Sequence, residues 1–343
     1  MVTVYTDERC LEHFAPGHPE RPERVASAVT ALRANPHADR QVWPEVWPAE
    51  PGLIARVHHE PHVRRVEDVA KSGGGWMDPD TFVVPQSYLA ACLAAGATTQ
   101  AVRDVLSGAH ENALVLVRPP GHHATATRSM GFCLFNNVAV AAQWAIDEGG
   151  AQRVAIADID VHHGNGTQDI FYTRPDVLYY STHQFPFYPG TGRLEDAGSD
   201  DGVGTTVNLP LMPGCGDETF ESATDRLLAP SLRRFNPDLV IISVGFDAHW
   251  ADPLAQMRMS LNGYAAVLKR IGELAEELCA GRLVVVLEGG YDLKVIAGGV
   301  LAAAELLDGR EPASDPVGPP PVGSEPLRAE AVIGAARTLH RLP

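Results

Sequence analysis

Seven short apolar runs, each rich in β-branched residues, punctuate the chain: VTVY at 2–5, ALVLV at 113–117, RVAIADIDV at 153–161, VLYYS at 177–181, TTVNLP at 205–210, DLVIISV at 238–244 and RLVVVL at 282–287. Stretches with helical periodicity lie between them, over 21–34, 86–107, 136–148, 217–235, 262–280 and 294–308. A strand that is apolar on both faces has no wet side, so it must be covered above and below, and the intervening helices supply that cover. The pattern predicts an α/β architecture: a parallel sheet between helical layers. With 343 residues, no internal repeat and no linker in the middle, one domain over 1–343 is expected. The Pro-rich stretch at 310–326 reads as an extended surface strap, and 327–343 as a C-terminal helix.

The formal charge of −16 argues against nucleic acid binding, which needs basic surface to neutralise phosphates. It suits a cationic partner, such as a lysine-rich tail or a polyamine. No apolar segment approaches a membrane span, and MVTVYTDERC lacks a basic start followed by an apolar stretch; a cytoplasmic protein with no membrane partner is the expectation. The five cysteines (Cys10, Cys92, Cys133, Cys215, Cys279) are odd in number and lack CxxC spacing, which points to reduced thiols. The oligomeric state is left open.

In open parallel sheets, ligands bind beyond the carboxyl ends of the strands. There the sequence places Arg118-Pro119-Pro120-Gly121-His122-His123 after ALVLV, and Asp158, Asp160, His162, His163, Gly164 and Asn165 after RVAIA. Gly245-Phe246-Asp247 follows DLVIISV, and Glu288-Gly289-Gly290-Tyr291 follows RLVVVL. Four strands thus deliver their polar groups to one edge. Asp158, Asp160 and His162 are spaced by two, which in a strand gives them a common face. Carboxylates at the end of a buried strand are costly without a compensating cation, and Asp247 joins them from another strand. Asp160, His162 and Asp247 form a three-ligand set of the kind a catalytic zinc uses. Iron(II), manganese or cobalt would also accept those donors.

A metal-activated water needs a base, and a leaving amine needs an acid. His122 and His123 are the candidates, with Asp158 and Asn165 left to orient their second ring nitrogens. A carboxylate partner holds more positive charge than an amide, so His122 is expected nearer imidazolium and His123 to be the freer base. Tyr291 offers a neutral hydroxyl to the oxyanion that forms as water attacks a carbonyl.

RPPGHH, GFCLFNN, DIDVHHGNGTQ, GFDA and EGGY, in that order between about 18 and 293, resemble the zinc-dependent histone deacetylase and acetylpolyamine amidohydrolase superfamily. The resemblance implies the arginase-deacetylase fold, a single domain with a central eight-stranded parallel sheet sandwiched between helices. It implies a catalytic Zn2+ on Asp160, His162 and Asp247, the pairs His122–Asp158 and His123–Asn165, His123 as principal base and acid, and Tyr291 polarising the carbonyl. Gly131, Phe132 and Tyr188 match the walls of a narrow acetyl-lysine tunnel, and Asp80 a rim acid that holds the substrate backbone. Arg24 borders an internal channel. A structural K+ is implied at Asp158, Asp160, His162, Ser181 and Thr182, with a second monovalent site near Phe171 and Val177. Asn165, where one branch has Asp, is closer to the class II enzymes and the bacterial histone deacetylase-like amidohydrolases.

Acetylpolyamine specialists place an acid at the tunnel mouth; the matching position here is Leu254, which favours an acetylated lysine side chain over an acetylated polyamine. Asp78, Asp80 and Asp252 could supply rim charge instead. A silent acetyl-lysine reader would lack a ligand or Tyr291, and an arginase-like dinuclear site would want more bridging carboxylates. SGGGW at 72–76 reads as a flexible loop, HPERPERV at 18–25 as a helix start, and His58, His59 and His62 as a solvated cluster in which Pro61 interrupts a helix.

Overall fold

A computed structural model describes residues 1–313 and 315–343. Its strands are β1 (Val2–Tyr5), β2 (Gln41–Val42), β3 (Gly75–Asp78), β4 (Thr81–Val83), β5 (Asn112–Val115), β6 (Val154–Asp158), β7 (Val177–Gln184), β8 (Thr206–Leu211), β9 (Leu239–Val244) and β10 (Leu283–Leu287). Eight of them run parallel in one sheet, in the order β2-β1-β5-β10-β9-β6-β7-β8, while β3 and β4 form a separate antiparallel hairpin. The helices are α1 (Glu23–Ala34), α2 (Pro51–Ile54), α3 (Glu60–Lys71), α4 (Ser87–Leu106), α5 (Asn137–Asp147), α6 (Asn165–Phe171), α7 (Asp217–Ala223), α8 (Ala229–Phe235), α9 (Leu261–Cys279), α10 (Leu293–Leu307) and α11 (Arg328–Leu339).

The apolar runs behave as two-faced strands. Successive residues of β9 alternate between two cores: Val240 and Ile242 join the side covered by α1 and α7 to α11, and Leu239 and Ile241 the side covered by α3 to α6. Burying each such aliphatic side chain contributes about 1.5–3 kcal/mol, and the polar residues of β6 and β9, Asp158 and Ser243, stand at or next to the carboxyl ends of those strands. Helix starts are set by side chains: Asn136 accepts from Ala139 N–H at α5, Ser260 from Gly263 N–H at α9, and Asp292 from Lys294 and Val295 N–H at α10.

Two expectations of extent change. The two-residue β2 is too short to leave a periodicity signal. The run 153–161 is not one strand: β6 stops at Asp158, so Asp160 and His162 lie beyond the pleat. Residues 310–313 and 315–327 carry no helix or strand, and Ser314, inside the expected strap, lies outside the described residues. Asp315 accepts the Leu261 N–H at the start of α9, and Glu325 those of Glu218 and Thr219 in α7. Among the described residues, no helix is long and apolar enough to cross a membrane.

Candidate active site

The strands β5, β10, β9 and β6 are neighbours in the sheet, so the four polar strand ends meet. Past Asp158 the chain curls instead of continuing in pleat. Asp158 Oδ1 accepts from Asp160 N–H at 3.2 Å, and Asp160 Oδ1 from His162 N–H at 2.8 Å. These are side-chain-to-backbone turns two residues long, the habit of Asp after a strand. Asp160 and His162 therefore reach the site through these turns and not as residues on a strand face shared with Asp158.

Asp160, His162 and Asp247 each offer a ligand atom within 4.8 Å of the others. His162 Nδ1 lies 3.2 Å from Asp160 Oδ1 and 3.2 Å from Asp247 Oδ2. Both carboxylates are fully buried. Their other oxygens accept from backbone donors: Gly289 N–H to Asp160 Oδ2 at 2.8 Å and Val161 N–H to Asp247 Oδ1 at 3.0 Å. A Cβ at Gly289 would stand 2.3 Å from Asp247 Oδ2 and 2.5 Å from Asp160 Oδ2, so only glycine lets the β10 end approach. Burial opposes charge on His162, and the two carboxylates outweigh it, raising the ring to about 10. Two buried carboxylates facing one imidazole demand a compensating cation, and the donor set fits a divalent one such as zinc.

His122 Nδ1 is 3.0 Å from Asp158 Oδ2, and His123 Nδ1 is 2.9 Å from Asn165 Oδ1. Tyr179 Oη also donates to Asp158 Oδ2, at 3.1 Å. The rings lie 4.0 Å apart, yet their environments drive them in opposite directions. Burial lowers His122, but Asp158 and Asp160 raise it to about 10. Burial lowers His123 too, and the neighbouring His122 and His162 push it further down.

Gly131, Phe132, Tyr188, Leu254, Asp80 and Tyr291 line one cavity of about 220 Å3 whose base is formed by His122, His123, Asp160 and His162. Gly131 (φ 56°) packs so close to His123 that a Cβ would meet Cδ2 at 2.4 Å. Phe132 adopts φ 69°, a left-handed conformation rare for a bulky residue. Its N–H is held by Thr81 Oγ1 at 3.0 Å, and its ring meets His18 and Tyr291 edge-on, at 4.7 and 5.9 Å. Burial drives the Tyr291 hydroxyl well above its usual range, so it stays a neutral donor, with the Arg24 guanidinium 5.0 Å from the ring centre. Asp80 accepts from Thr81 Oγ1 at 2.9 Å and, through its carbonyl, shares a hydrogen bond with His18 Nε2 at 3.0 Å.

Ser181 and Thr182 are buried on β7, where Asp158 pairs with Ser181 across the β6–β7 ladder. Phe171 and Val177 are buried as well, at the end of α6 and the start of β7. Arg24 is fully buried and donates to the carbonyl of Gly290 at 2.6 Å and to Glu20 Oε1 at 3.1 Å; it also binds the Glu288 carbonyl.

Several residues were missed or misjudged. Phe187 stacks on His162 at 5.4 Å and 21°, forming a wall next to Tyr188. Asp252 is no rim charge. Its buried carboxylate accepts from Tyr291 N–H at 2.6 Å, Asp292 N–H at 3.2 Å and Leu254 N–H at 2.9 Å, tying the loop after β9 to that after β10. His58 and His62 are buried, not solvated. His58 bridges the Thr125 carbonyl (2.9 Å) and the Asn136 N–H (2.8 Å), and His62 binds the Leu134 carbonyl at 3.1 Å. Pro61 sits in the first turn of α3, where its missing N–H costs nothing, so it starts the helix rather than breaking it. SGGGW ends in β3, whose hairpin carries Asp80 to the cavity. An acid quoted in a motif but given no metal to bind, Glu288, was the available signal for a further functional carboxylate.

A parallel α/β sheet with a buried Asp/His/Asp set and paired histidines at its carboxyl edge defines a candidate metal-assisted hydrolase. Residues 18–307 match the model of the histone deacetylase domain. The chain is 42% identical over 298 residues to a probable deacetylase of Archaeoglobus fulgidus, covering 86% of this chain and 82% of that one. It is 41% identical over 338 residues to the histone deacetylase-like amidohydrolase of Pseudomonas aeruginosa, covering 92% and 88%. The crystal structure of the HDA15 HD domain superposes with a TM-score of 0.90 at 36% identity, over 99% of this chain and 94% of that one. The chain belongs to the histone deacetylase family, and its activity is that of a deacetylase, an amide hydrolase.

Proposed function

We propose that the protein is a zinc-dependent deacetylase acting on the acetyl amide of acetyl-lysine in proteins or peptides. The observation that carries this reading is a single cavity that holds Asp160, His162, His123 and Tyr291 and is walled by Phe132 and Tyr188. Asp160, His162 and Asp247 would hold the zinc, which when bound supplies Lewis-acid polarisation and makes a water acidic enough to attack. Asn165 Oδ1 faces His123 Nδ1, so the ring proton sits on Nδ1 and the Nε2 lone pair is free. His123 Nε2 takes a proton from the attacking water as its oxygen bonds to the acetyl carbon. The Tyr291 hydroxyl donates to the carbonyl oxygen as negative charge grows there. The C–N bond then breaks, the proton passes from the imidazolium to the amine, and acetate and a free amine leave. His122, held positive by Asp158, stabilises the negative charge on the neighbouring groups.

A structural K+ at backbone oxygens around Asp158, Asp160, His162, Ser181 and Thr182 follows from the family resemblance, and the β6–β7 register sets Asp158 beside Ser181. The five cysteines are all free, in keeping with a reducing, cytoplasmic setting. Leu254 at the cavity mouth and the inward commitment of Asp252 favour acetyl-lysine. Asp80 at the same mouth favours the second reading, an acetylpolyamine amidohydrolase. Rates on acetyl-lysine peptides and mono-acetylated polyamines, compared side by side on zinc-loaded protein, decide between them. The peptide is expected to be the better substrate, and a preference for polyamines of about a hundredfold or more, roughly 2.7 kcal/mol in transition-state binding, overturns the assignment.

A further inference from the structure

Glu288 directly follows the apolar strand β10 and has no exposed surface, yet no step of the hydrolysis above uses it. Its Oε2 accepts from the backbone N–H of Gly121 at 2.6 Å and of His122 at 3.2 Å, and its Oε1 accepts from Ser243 Oγ at 3.2 Å. Pro119 and Pro120 have no N–H, so Gly121 and His122 offer the first backbone donors of the turn that carries both imidazoles. The His122 carbonyl is pinned from the other side by the N–H groups of Gly166 and Thr167, at 3.0 and 3.2 Å. The peptide planes on either side of His122 are thereby fixed between β10 and α6. A buried N–H without an acceptor is strongly disfavoured, so the turn has one arrangement in which its donors are met, and Glu288 defines it.

We propose that Glu288 is a positioning residue for proton transfer: by holding two adjacent backbone N–H groups it sets the reach of His122 and His123 toward the reacting atoms. This rests on the deacetylase reading of the site. What the turn requires is an acceptor at the full length of the glutamate side chain. Glu288→Gln keeps that acceptor and discards the charge, with Ser243 able to turn its hydroxyl to accept from the amide. Glu288→Asp keeps the charge and withdraws the acceptor by one methylene. Catalytic geometry is sensitive at this scale, a displacement of about 1 Å costing about a hundredfold.

The test is steady-state kinetics on zinc-loaded parent, Glu288→Gln, Glu288→Asp and Glu288→Ala with an acetyl-lysine peptide, together with zinc content and histidine ring-nitrogen NMR. Glu288→Asp is expected to lose about a hundredfold in kcat with KM and zinc content held within about threefold. Glu288→Gln is expected to recover most of that loss, and Glu288→Ala, where it folds, to resemble Glu288→Asp. Parental kcat in Glu288→Asp, or a Gln variant as slow as the Asp variant, overturns the proposal. Should the parent itself hydrolyse neither peptide nor polyamine, the functional reading fails. The positioning claim is then still read from the His123 ring resonances, which must move in the Asp variant and stay in the Gln variant, and any other pattern overturns it.

Discussion

At and beneath the floor of the cavity Asp160, Asp158, Asp247 and Glu288 are all fully buried, whereas toward its rim Trp76 is 61% exposed and Tyr188 37%. Floor carboxylates are met by backbone N–H groups and histidine rings from other strands. The rim is built from the β3–β4 hairpin and the loop around Tyr188, and its charges are loosely held: Arg128 stands 3.8 Å from Asp78 with most of its side chain in water. Such an exposed pair is worth about 0–1 kcal/mol, while removing one partner of a buried pair costs about 3–5 kcal/mol. The floor is therefore free to do one reaction only, and the rim is where acetylated substrates can be told apart at little cost to the fold.

The largest effect is expected behind the floor, where Glu20 receives Arg118 at 2.9 and 2.7 Å and Arg24 at 3.1 Å, all three fully buried. Burial alone would raise the Glu20 carboxyl, but the two guanidiniums outweigh it and lower it to about 2. Its folded-state pKa is thus below the unfolded one. The stability it contributes is present above the usual glutamate range and is lost as the pH falls from there through about 2. Glu20→Gln leaves two buried cations short of a counter-charge and should cost about 3–5 kcal/mol at neutral pH, with a flatter acid-unfolding profile between about 4.5 and 2. Denaturant titrations at several pH values measure both. An unchanged acid limb would mean that the charges behind the floor are not coupled to folding.

Next in size is Tyr291→Phe, which removes one hydroxyl and no metal ligand. Loss of a donor to a developing oxyanion typically costs about 10²–10³ in turnover. The variant should keep parental zinc content and fall by that factor in kcat with either acetylated substrate. Turnover at the parental rate would take Tyr291 out of the chemistry and leave the floor with the histidines alone.

How much of this was legible in the sequence follows the same division. The polar strand ends could be read because a buried strand gives its last residues a fixed destination: Asp158, Asp247, His122 and Tyr291 had only one edge to go to. Details set by local turns could not be read from strand periodicity, as with Asp160 and His162, placed by side-chain-to-backbone turns past the end of β6. Groups whose role is to hold backbone left no spacing signal at all. Asp252 reads from the sequence as a possible rim charge, because nothing in its spacing shows that the loops after β9 and β10 share it. His58 and His62 are not recognisable as buried from spacing, because Pro61 reads equally as a helix break or as the first turn of a helix, and here it opens α3. Phe187 stood next to the quoted Tyr188, but which of two adjacent aromatic rings faces His162 depends on the path of the loop.

The smallest expected effect tests the rim alone. Trp76 stands on the hairpin that brings Asp80 to the mouth, edge-on to Phe82 at 6.3 Å, and Phe82 is itself stacked on His13 at 4.1 Å and 7°. The indole is therefore braced by Phe82 and mostly in water, and an exposed aromatic face attracts a passing ammonium or guanidinium by about 0.5–1 kcal/mol. Trp76→Ala should raise KM for an acetyl-lysine peptide with basic neighbours by about two- to fivefold and leave kcat unchanged. For an acetylated lysine with no flanking residues, both constants should stay at the parental values. If kcat for the basic peptide falls about tenfold instead, an exposed ring is acting on buried chemistry, and floor and rim are one mechanical unit rather than two.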